Sequence, residues 1–407
     1  MAIARVQALG AAIARGLQVY RWIGSFFGKG ATAMTLPITF GWYLPTHGDT
    51  TAFGDLSQRV PAGPALFDDV VDAVDNGGFA YLLMPVAPAC WEAMTLGAWF
   101  AGRSRIVAPL IAIRAGYVNP TQSARMFATL DQMTRGRVAI NLIAGISDAD
   151  THADGISDSK EVRYEKLDEE VQVMKLLWGS DRPIDFRGKH YQVSQVIEPK
   201  PFQRPHPPFF LGGGSAQAAM VSARHSTVHL FWGETPESVR KTIASLNDLG
   251  ATINRQDPLQ FGMRMHVIVR DSEDEAWAAA RQLIEGAPPL TGLQDMGWGK
   301  EGIASIAATS EANRQMWRLL EQSGKEQRVH PHIWTGISSV RQGAGLCIVG
   351  TPAQIAITLE EYIEAGCTSF CLSGYPHAAA ARAFSEKVMP RFRGRTSTAL
   401  PRANTSR

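Results

Sequence analysis

Eight short, continuous apolar runs separated by amphipathic stretches constrain this chain more than any other feature. They are ITFGWYL (38–44), FAYLLMPV (79–86), RIVAPLIAI (105–113), VAINLIAG (138–145), PPFFLGG (207–213), VHLFWG (228–233), FGMRMHVIV (261–269) and SFCLSGYP (369–376). Runs that are continuous rather than alternating suit strands covered on both faces. The stretches between them carry helix signals. ALFDDVVDAVDNGG ends in glycines, and PTQSARMFATLDQMTRG opens on Pro120 and closes on Gly136. Strands joined by helical crossovers pair in parallel, and eight is the number that closes a barrel. The pattern predicts an α/β chain, a (β/α)8 TIM barrel with insertions.

The spacing locates those insertions. Residues 146–206 separate the fourth and fifth runs and contain an acidic helix, EKLDEEVQVMKLLWGS, and a short hairpin, IDFRGKHYQV. The longest insertion, 270–341, lies between the seventh and eighth runs and exceeds what a crossover needs. Its Gly- and Pro-rich segment GAPPLTGLQDMGWGKEGIASI reads as a mobile lid leading into helices.

Composition excludes several classes. With 407 residues and 45% hydrophobic content, the chain needs no disulfide or metal to build a core. A formal charge of +2 points to neither nucleic acid nor an acidic membrane face. The four cysteines follow no disulfide or zinc spacing, which fits a reducing cytoplasm, and no apolar run is long enough to span a bilayer. Residues 1–34 are basic, without acids, and read as an N-terminal extension, either an over-extended start with Met34 the true one or a loosely attached, disordered segment. A single domain over 35–393 follows, and 394–407 reads as a disordered tail.

Active sites of such barrels lie at the carboxyl ends of the strands. His47 follows the first run, Cys90 the second, Asn141 lies in the fourth, Trp232 ends the sixth, and Tyr375 and His377 follow the eighth. Arg264 and His266 stand two apart in the seventh and share a face. Met263, Met265 and Val267 take the other face, toward helices. Placing arginine and histidine inside a barrel is costly unless an anion or hydrogen-bonding group joins them. The competing reading is an internal salt bridge, but no acid lies in that strand. Arg341, in SVRQGAG, precedes the eighth run. His47 is equally a loop histidine capping a carbonyl, Cys90 a small buried residue, Trp232 core and Tyr375 a surface phenol. FLGGGSAQAA (210–219) runs from strand through glycines to helix, a place where backbone N–H groups accept a phosphate, with Ser215 as a further donor; it also reads as a tight turn. DADTHADGISD lacks tight metal spacing and reads as a solvated loop.

Together these motifs resemble the bacterial luciferase-like superfamily of flavin-dependent monooxygenases, and within it the alkanesulfonate monooxygenase branch. The residues that carry the resemblance include WYLPTHGD (42–49), SARMFATLDQMTRGRVAINLIAG (123–145), RYEKLDEEVQVMKLLW (163–178), PHPPFFLGGGS (205–215), GMRMHVIVRDSEDEAW (262–277), VRQGAG (340–345) and LSGYPH (372–377). LPTHGD, GMRMHVIVR and SGYPH are the motifs specific to the sulfonate branch.

The resemblance implies a two-component system. A separate NAD(P)H:flavin reductase supplies reduced FMN (FMNH2), and the enzyme uses it with O2 to cleave a carbon–sulfur bond, releasing sulfite and an aldehyde or related carbonyl. It implies that His47, Cys90, Trp232, Arg264, His266, Arg341, Tyr375 and His377 line the active site. Asn141, Tyr164, Gly214 and Ser215 would lie around the flavin and its phosphate, with no metal. Two arginines suit a permanently anionic sulfonate. His266 either orients a neighbour or manages a proton. It also suggests a homodimer or homotetramer. The chain departs from the branch in VAPAC (86–90), which replaces a polar stretch, in Gly214, which replaces a serine, and in Gln342, which replaces a glycine. A sugar sulfonate, a sulfone or another non-sulfonate substrate therefore stays open, as does a deazaflavin-dependent hydride transfer. A flavin-binding protein without turnover is the reading from another class.

Overall fold

The computed structural model describes residues 37–145, 148–289, 311–341, 343 and 345–402. The extension read at 1–34 and most of the lid segment, 290–310, lie outside the described residues.

The first half of the chain alternates β1 (Thr39–Tyr43), α1 (Pro64–Gly77), β2 (Tyr81–Met84), α2 (Ala93–Ala101), β3 (Ala108–Arg114), α3 (Pro120–Thr134) and β4 (Ala139–Ile143). Then come α4 (Asp148–Ala153), α5 (Lys160–Gly179) and an antiparallel hairpin, β5 (Ile184–Arg187) with β6 (Gln192–Gln195). The alternation resumes with β7 (Phe209–Leu211), α6 (Ala216–His225), β8 (Val228–Trp232), α7 (Pro236–Thr252) and β9 (Gln260–Val269). After α8 (Glu273–Ile284) and α9 (Glu311–Gln322) the chain forms β10 (Arg328–His330), β11 (Ile333–Trp334), α10 (Gly336–Val340) and β12 (Cys347–Gly350). It ends with α11 (Pro352–Ala365), β13 (Cys367–Ser373) and α12 (His377–Lys387).

Eight parallel strands close on themselves in the order β1, β2, β3, β4, β7, β8, β9, β13 and back to β1, which is the (β/α)8 barrel. Each coincides with one of the eight apolar runs. The longest, β9, has a divided edge. Its first part pairs with β8 up to Trp232↔Arg264, and its last part pairs with β12 from Cys347↔His266 onward. Strands β10 and β11 continue antiparallel from β12. This small extension was not expected from the sequence, because strands of two to four residues leave too little periodicity to read.

Side-chain alternation sorts each barrel strand into an outer and an inner face. Phe40, Trp42, Leu82, Met84, Ile140, Leu142, Met263, Met265 and Val267 point outward into the main core under the helices. There Phe40 meets Phe370, Phe384 and Phe392 at centroid distances of 5.7, 5.2 and 5.4 Å. Each such buried ring contributes roughly 1.5–3 kcal/mol through burial. The lumen is filled by Tyr81, Leu83, Leu110, Phe210, Leu230 and Cys371. The Tyr81 ring lies against Gly41, where a Cβ would fall 2.1 Å from the ring, so only glycine fits. Further along the same inner faces the residues turn polar: Tyr43, Arg114, Asn141, Arg264, His266 and Ser373. This change of polarity along the lumen places the site.

Two expectations need correction. DADTHADGISD is not a solvated loop. Its first six residues form α4, and Asp150 is buried against Arg114 from the end of β3 at 2.8 Å. Arg163 is also buried and bonds Asp148 at 2.9 Å and the Ala144 carbonyl at 2.7 Å. The acids look solvated in the sequence because their cationic partners come from β3 and α5. The stretch 394–402, expected to be disordered, runs beside β1: Ile38 N donates to Arg395 O at 2.7 Å and Ser397 N to Ile38 O at 2.8 Å. Leu400 packs on the lumen cluster. An apolar residue closing the barrel floor outweighs the polar composition around it. No helix among the described residues is long and apolar enough to cross a membrane.

Candidate active site

The loops leaving β1, β2 and β13, strand β9 and α10 bring His47, Cys90, Arg264, His266, Arg341, Tyr375 and His377 to one place. Strand alternation aims Arg264 and His266 inward from β9, as read from the sequence, and both are buried. Arg264 Nη1 donates to Ser373 Oγ on the neighbouring β13 at 2.9 Å and to the Met265 carbonyl at 2.9 Å. Its guanidinium lies 4.8 Å from the centre of the Tyr43 ring, a cation–π distance. His266 Nδ1 is 2.7 Å from the same Ser373 oxygen.

Arg341 enters from the other side. It caps α10, its amide bonded to the Ile337 carbonyl at 2.9 Å, and Nη2 meets His47 Nε2 at 2.8 Å. It also lies beside the Tyr43 phenol and 5.9 Å from the Tyr375 ring centre. Among the described residues neither Arg264 nor Arg341 has an ion-pair partner. Among the described residues the internal salt bridge that competed with the functional reading is therefore not formed, and both guanidiniums act on the Tyr43 phenol.

The histidines around them are held neutral. Burial first, and then Arg341 and Arg264, push His47 down to about 3. Burial and the arginines take His266 well below the usual histidine range. Burial, His47 and the arginines do the same for His377. Tyr375 stacks on His266 at 5.7 Å and meets His377 edge-on at 5.0 Å. It is a buried phenol rather than a surface one. Three buried polar atoms of this group, His266 Nε2, Tyr375 Oη and His377 Nε2, have no hydrogen-bond partner among the described residues. Buried polar atoms are normally paired, so three together mark a place built for a polar ligand.

Cys90 sits beside Tyr43, Thr46 and Arg341. Burial raises its thiol above the usual range and outweighs Arg341, so it is present as the thiol and not as a thiolate nucleophile. Asp49 lies just behind. It accepts from the amides of His377 at 2.6 Å and Thr50 at 2.8 Å, and burial raises its carboxyl to about 6.

The four residues assigned to the flavin lie on β4, on α5 and in the turn from β7 to α6. Asn141 is buried on β4 and shares the inner face with Ala139 of the lumen cluster. Ser215 caps α6, accepting from Ala218 N at 3.2 Å, and the Tyr164 phenol lies beside its side chain. Gly213, rather than Gly214, adopts the left-handed backbone, with φ 137°, and turns the chain from β7 into that cap. Trp232 joins the two halves. It lines a cleft with Gly213 and Gly214, and it pairs in register with Arg264.

Tyr43, Asp49 and Ser373 belong to the site but were not singled out from the sequence. For Tyr43 and Ser373 the signal was present. Each falls on the inner-facing parity of its strand, the argument that exposed Arg264 and His266. Asp49 gave no such signal because it lies in a loop. No group of three or more metal-binding side chains occurs among the described residues.

The luciferase-like monooxygenase family model matches residues 38–369. Among solved structures, the chain is similar to long-chain alkane monooxygenase (LadA), 17% identical over 91% of this chain and 95% of that one, with a TM-score of 0.69. It is similar to riboflavin lyase (RcaE), solved with modified FMN and riboflavin, at 14% identity over 90% and 94% and a TM-score of 0.68. It is also similar to EDTA monooxygenase (EmoA) from Chelativorans sp. BNC1, at 14% identity over 90% and 97% and a TM-score of 0.66. At these identities the structural likeness establishes the fold.

Proposed function

The chain belongs to the luciferase-like monooxygenase family, and from that premise we propose that it is an FMNH2-dependent monooxygenase that cleaves the carbon–sulfur bond of an organosulfonate. A separate NAD(P)H:flavin reductase supplies the reduced flavin, and the products are sulfite and an aldehyde or related carbonyl. The observation that carries this reading is the pair of the buried Arg264 and the half-buried Arg341, both acting on Tyr43 and without a carboxylate partner among the described residues. A sulfonate is an anion at every physiological pH and offers three oxygens, which two guanidiniums match.

The residues present fit FMN. The Gly213 turn, the Ser215 cap and the Tyr164 phenol form a polar corner suited to a phosphate. Trp232 provides a flat apolar wall between that corner and the arginines. Riboflavin lyase, of the same fold, was solved with modified FMN. Reduced FMN would supply two electrons to O2, so that one oxygen atom enters the product and the other leaves as water. In sum, R–CH2–SO3−, O2 and FMNH2 give R–CHO, sulfite, water, FMN and a proton; carbon is oxidised, and the C–S bond breaks with its electron pair on sulfur.

The chain's own residues bind and orient. Arg264 and Arg341 hold the anionic head. Ser373 and Tyr43 fix the Arg264 guanidinium in place. Tyr375 and His266 keep unpaired polar atoms for substrate oxygens, and His377 Nε2 keeps one for the proton released. Burial of the cluster excludes water, which strengthens each of these contacts.

A second reading, another anion such as a carboxylate, is favoured by the same arginine pair and by the fold shared with EDTA monooxygenase. The apolar VAPAC loop beside Cys90 argues for an organic body different from a simple alkyl chain. The test is sulfite release from a panel of alkyl, aryl and sugar sulfonates, with sulfones and carboxylates alongside, given FMN, NADH, O2 and a flavin reductase. Sulfite from a sulfonate, dependent on the reductase, is expected. O2 uptake with a carboxylate or sulfone and no sulfite from any sulfonate would overturn the sulfonate reading.

A further inference from the structure

Three neutral histidines surround the arginine pair, and their partners decide which ring nitrogen carries the proton. A guanidinium only donates, so His47 Nε2 accepts from Arg341 and the His47 proton is on Nδ1. A carbonyl only accepts, so His377 Nδ1 donates to the Tyr43 carbonyl at 3.2 Å. Nε2 of His377 is then a bare lone pair, buried and without a partner among the described residues.

His266 is different, because its Nδ1 faces a hydroxyl that can play either role. That hydroxyl is not free to choose. Ser373 Oγ already accepts from Arg264 Nη1 at 2.9 Å, and its single proton has one acceptor in contact, His266 Nδ1 at 2.7 Å. The opposite arrangement would leave the hydroxyl proton without an acceptor in a buried site and would put a second bare lone pair, on His266 Nε2, beside that of His377. Leaving buried hydrogen-bonding groups unpaired costs stability, so the first arrangement is the favoured one.

We propose that Ser373 is a positioning residue that locks His266 as the Nε2–H tautomer, so that His266 donates a hydrogen bond into the site while His377 Nε2 is the unprotonated nitrogen that accepts one. The chain of contacts is Arg264 to Ser373 to His266, with each group donating to the next and the last N–H left for the substrate. Stacking against Tyr375 at 19° between planes fixes the direction in which that N–H points. His266 thereby serves as a donor to an anionic oxygen and is excluded as the resting-state base, a role for which His377 keeps its lone pair. Only the identity of the receiving oxygen rests on the sulfonate reading; the tautomers do not.

The test uses the full-length protein labelled with nitrogen-15 at histidine. Two-bond nitrogen–hydrogen spectra distinguish protonated from bare ring nitrogens, and the Gln variants of His47, His266 and His377 assign the signals. The expected result is a protonated Nε2 on His266 and protonated Nδ1 on His47 and His377. Ser373→Ala is expected to lose the single-tautomer pattern of His266, and Ser373→Thr, which keeps the hydroxyl, to restore it. A protonated Nδ1 on His266 in the unsubstituted protein overturns the proposal, as does an unchanged pattern in a folded Ser373→Ala. Should Ser373→Ala fail to fold, the unsubstituted protein and Ser373→Thr still decide. Absence of sulfite with the tautomer pattern intact would sink the sulfonate reading and leave this inference standing.

Discussion

Arg341 and His47, 294 positions apart in the sequence, meet at 2.8 Å and close the site between the first strand's loop and the insertion before the last strand. The contact works in one direction only, from the guanidinium to the lone pair of a neutral imidazole. It therefore orients Arg341 without consuming its charge, which a carboxylate partner would have neutralised. That difference separates a structural ion pair from an anion-binding arginine.

Arg341→Lys is expected to lower kcat/KM for the substrate roughly 10-fold or more, and Arg341→Ala roughly 100-fold or more, because lysine keeps the charge but loses the planar fork. Steady-state sulfite assays at matched flavin concentration check this. In the same Ala variant His47 should titrate above its present value of about 3, yet still below the ordinary histidine range, since burial is the larger cause. An unchanged His47 titration would show that the two groups are not coupled.

Arg264→Ala is expected to abolish turnover while leaving flavin affinity within about three-fold, as the truncation removes substrate contacts only. Fluorescence titration with FMN and anaerobic titration with reduced FMN measure the affinity. Equal loss of turnover and flavin binding would move Arg264 into the flavin site.

Asp49 gives a pH signature. Its carboxyl is raised from the ordinary aspartate value to about 6 by burial, against the two amides that bond it. The folded state therefore holds a proton that the unfolded chain has released. Its contribution to stability is fully present below about 4 and is lost as pH rises through about 6. Urea midpoints measured from pH 4 to pH 7 should fall with pH relative to Asp49→Asn, which has no such proton. Parallel curves for the two proteins would remove this assignment.

Arg114→Ala is expected to destabilise the protein by about 3–5 kcal/mol, because it leaves Asp150 buried beside a missing cation. Arg114 and Asp150 meet at 2.8 Å with side chains almost wholly enclosed. Chemical denaturation of the variant, and of Arg114→Ala with Asp150→Asn, checks it; the double substitution should recover part of the loss. A change below about 1 kcal/mol would return α4 to the solvated loop its composition suggests.

The barrel was legible in the sequence because continuous apolar runs have few other uses than strands covered on both faces. All eight fall where ring strands form. The inward aim of Arg264 and His266 was legible too, since strand alternation is a local rule. Tyr43 and Ser373 obey that rule and went unremarked because a tyrosine or serine in a strand carries no cost that calls for explanation. Asp150 misled for the opposite reason: it looks solvated until β3 brings Arg114 to it. The strands β10 to β12 were too short to announce themselves.

What the sequence determined alone, then, was local: strand positions, the face each strand residue takes and the presence of cations in a lumen that should exclude them. What only the tertiary structure decided was pairing. Whether Arg264 and Arg341 are neutralised, which nitrogen of each histidine is bare, and that Cys90 is a thiol all depend on residues from other strands arriving within hydrogen-bond distance. Such contacts span long separations in the chain and leave no periodic trace, so closure of the barrel had to set them.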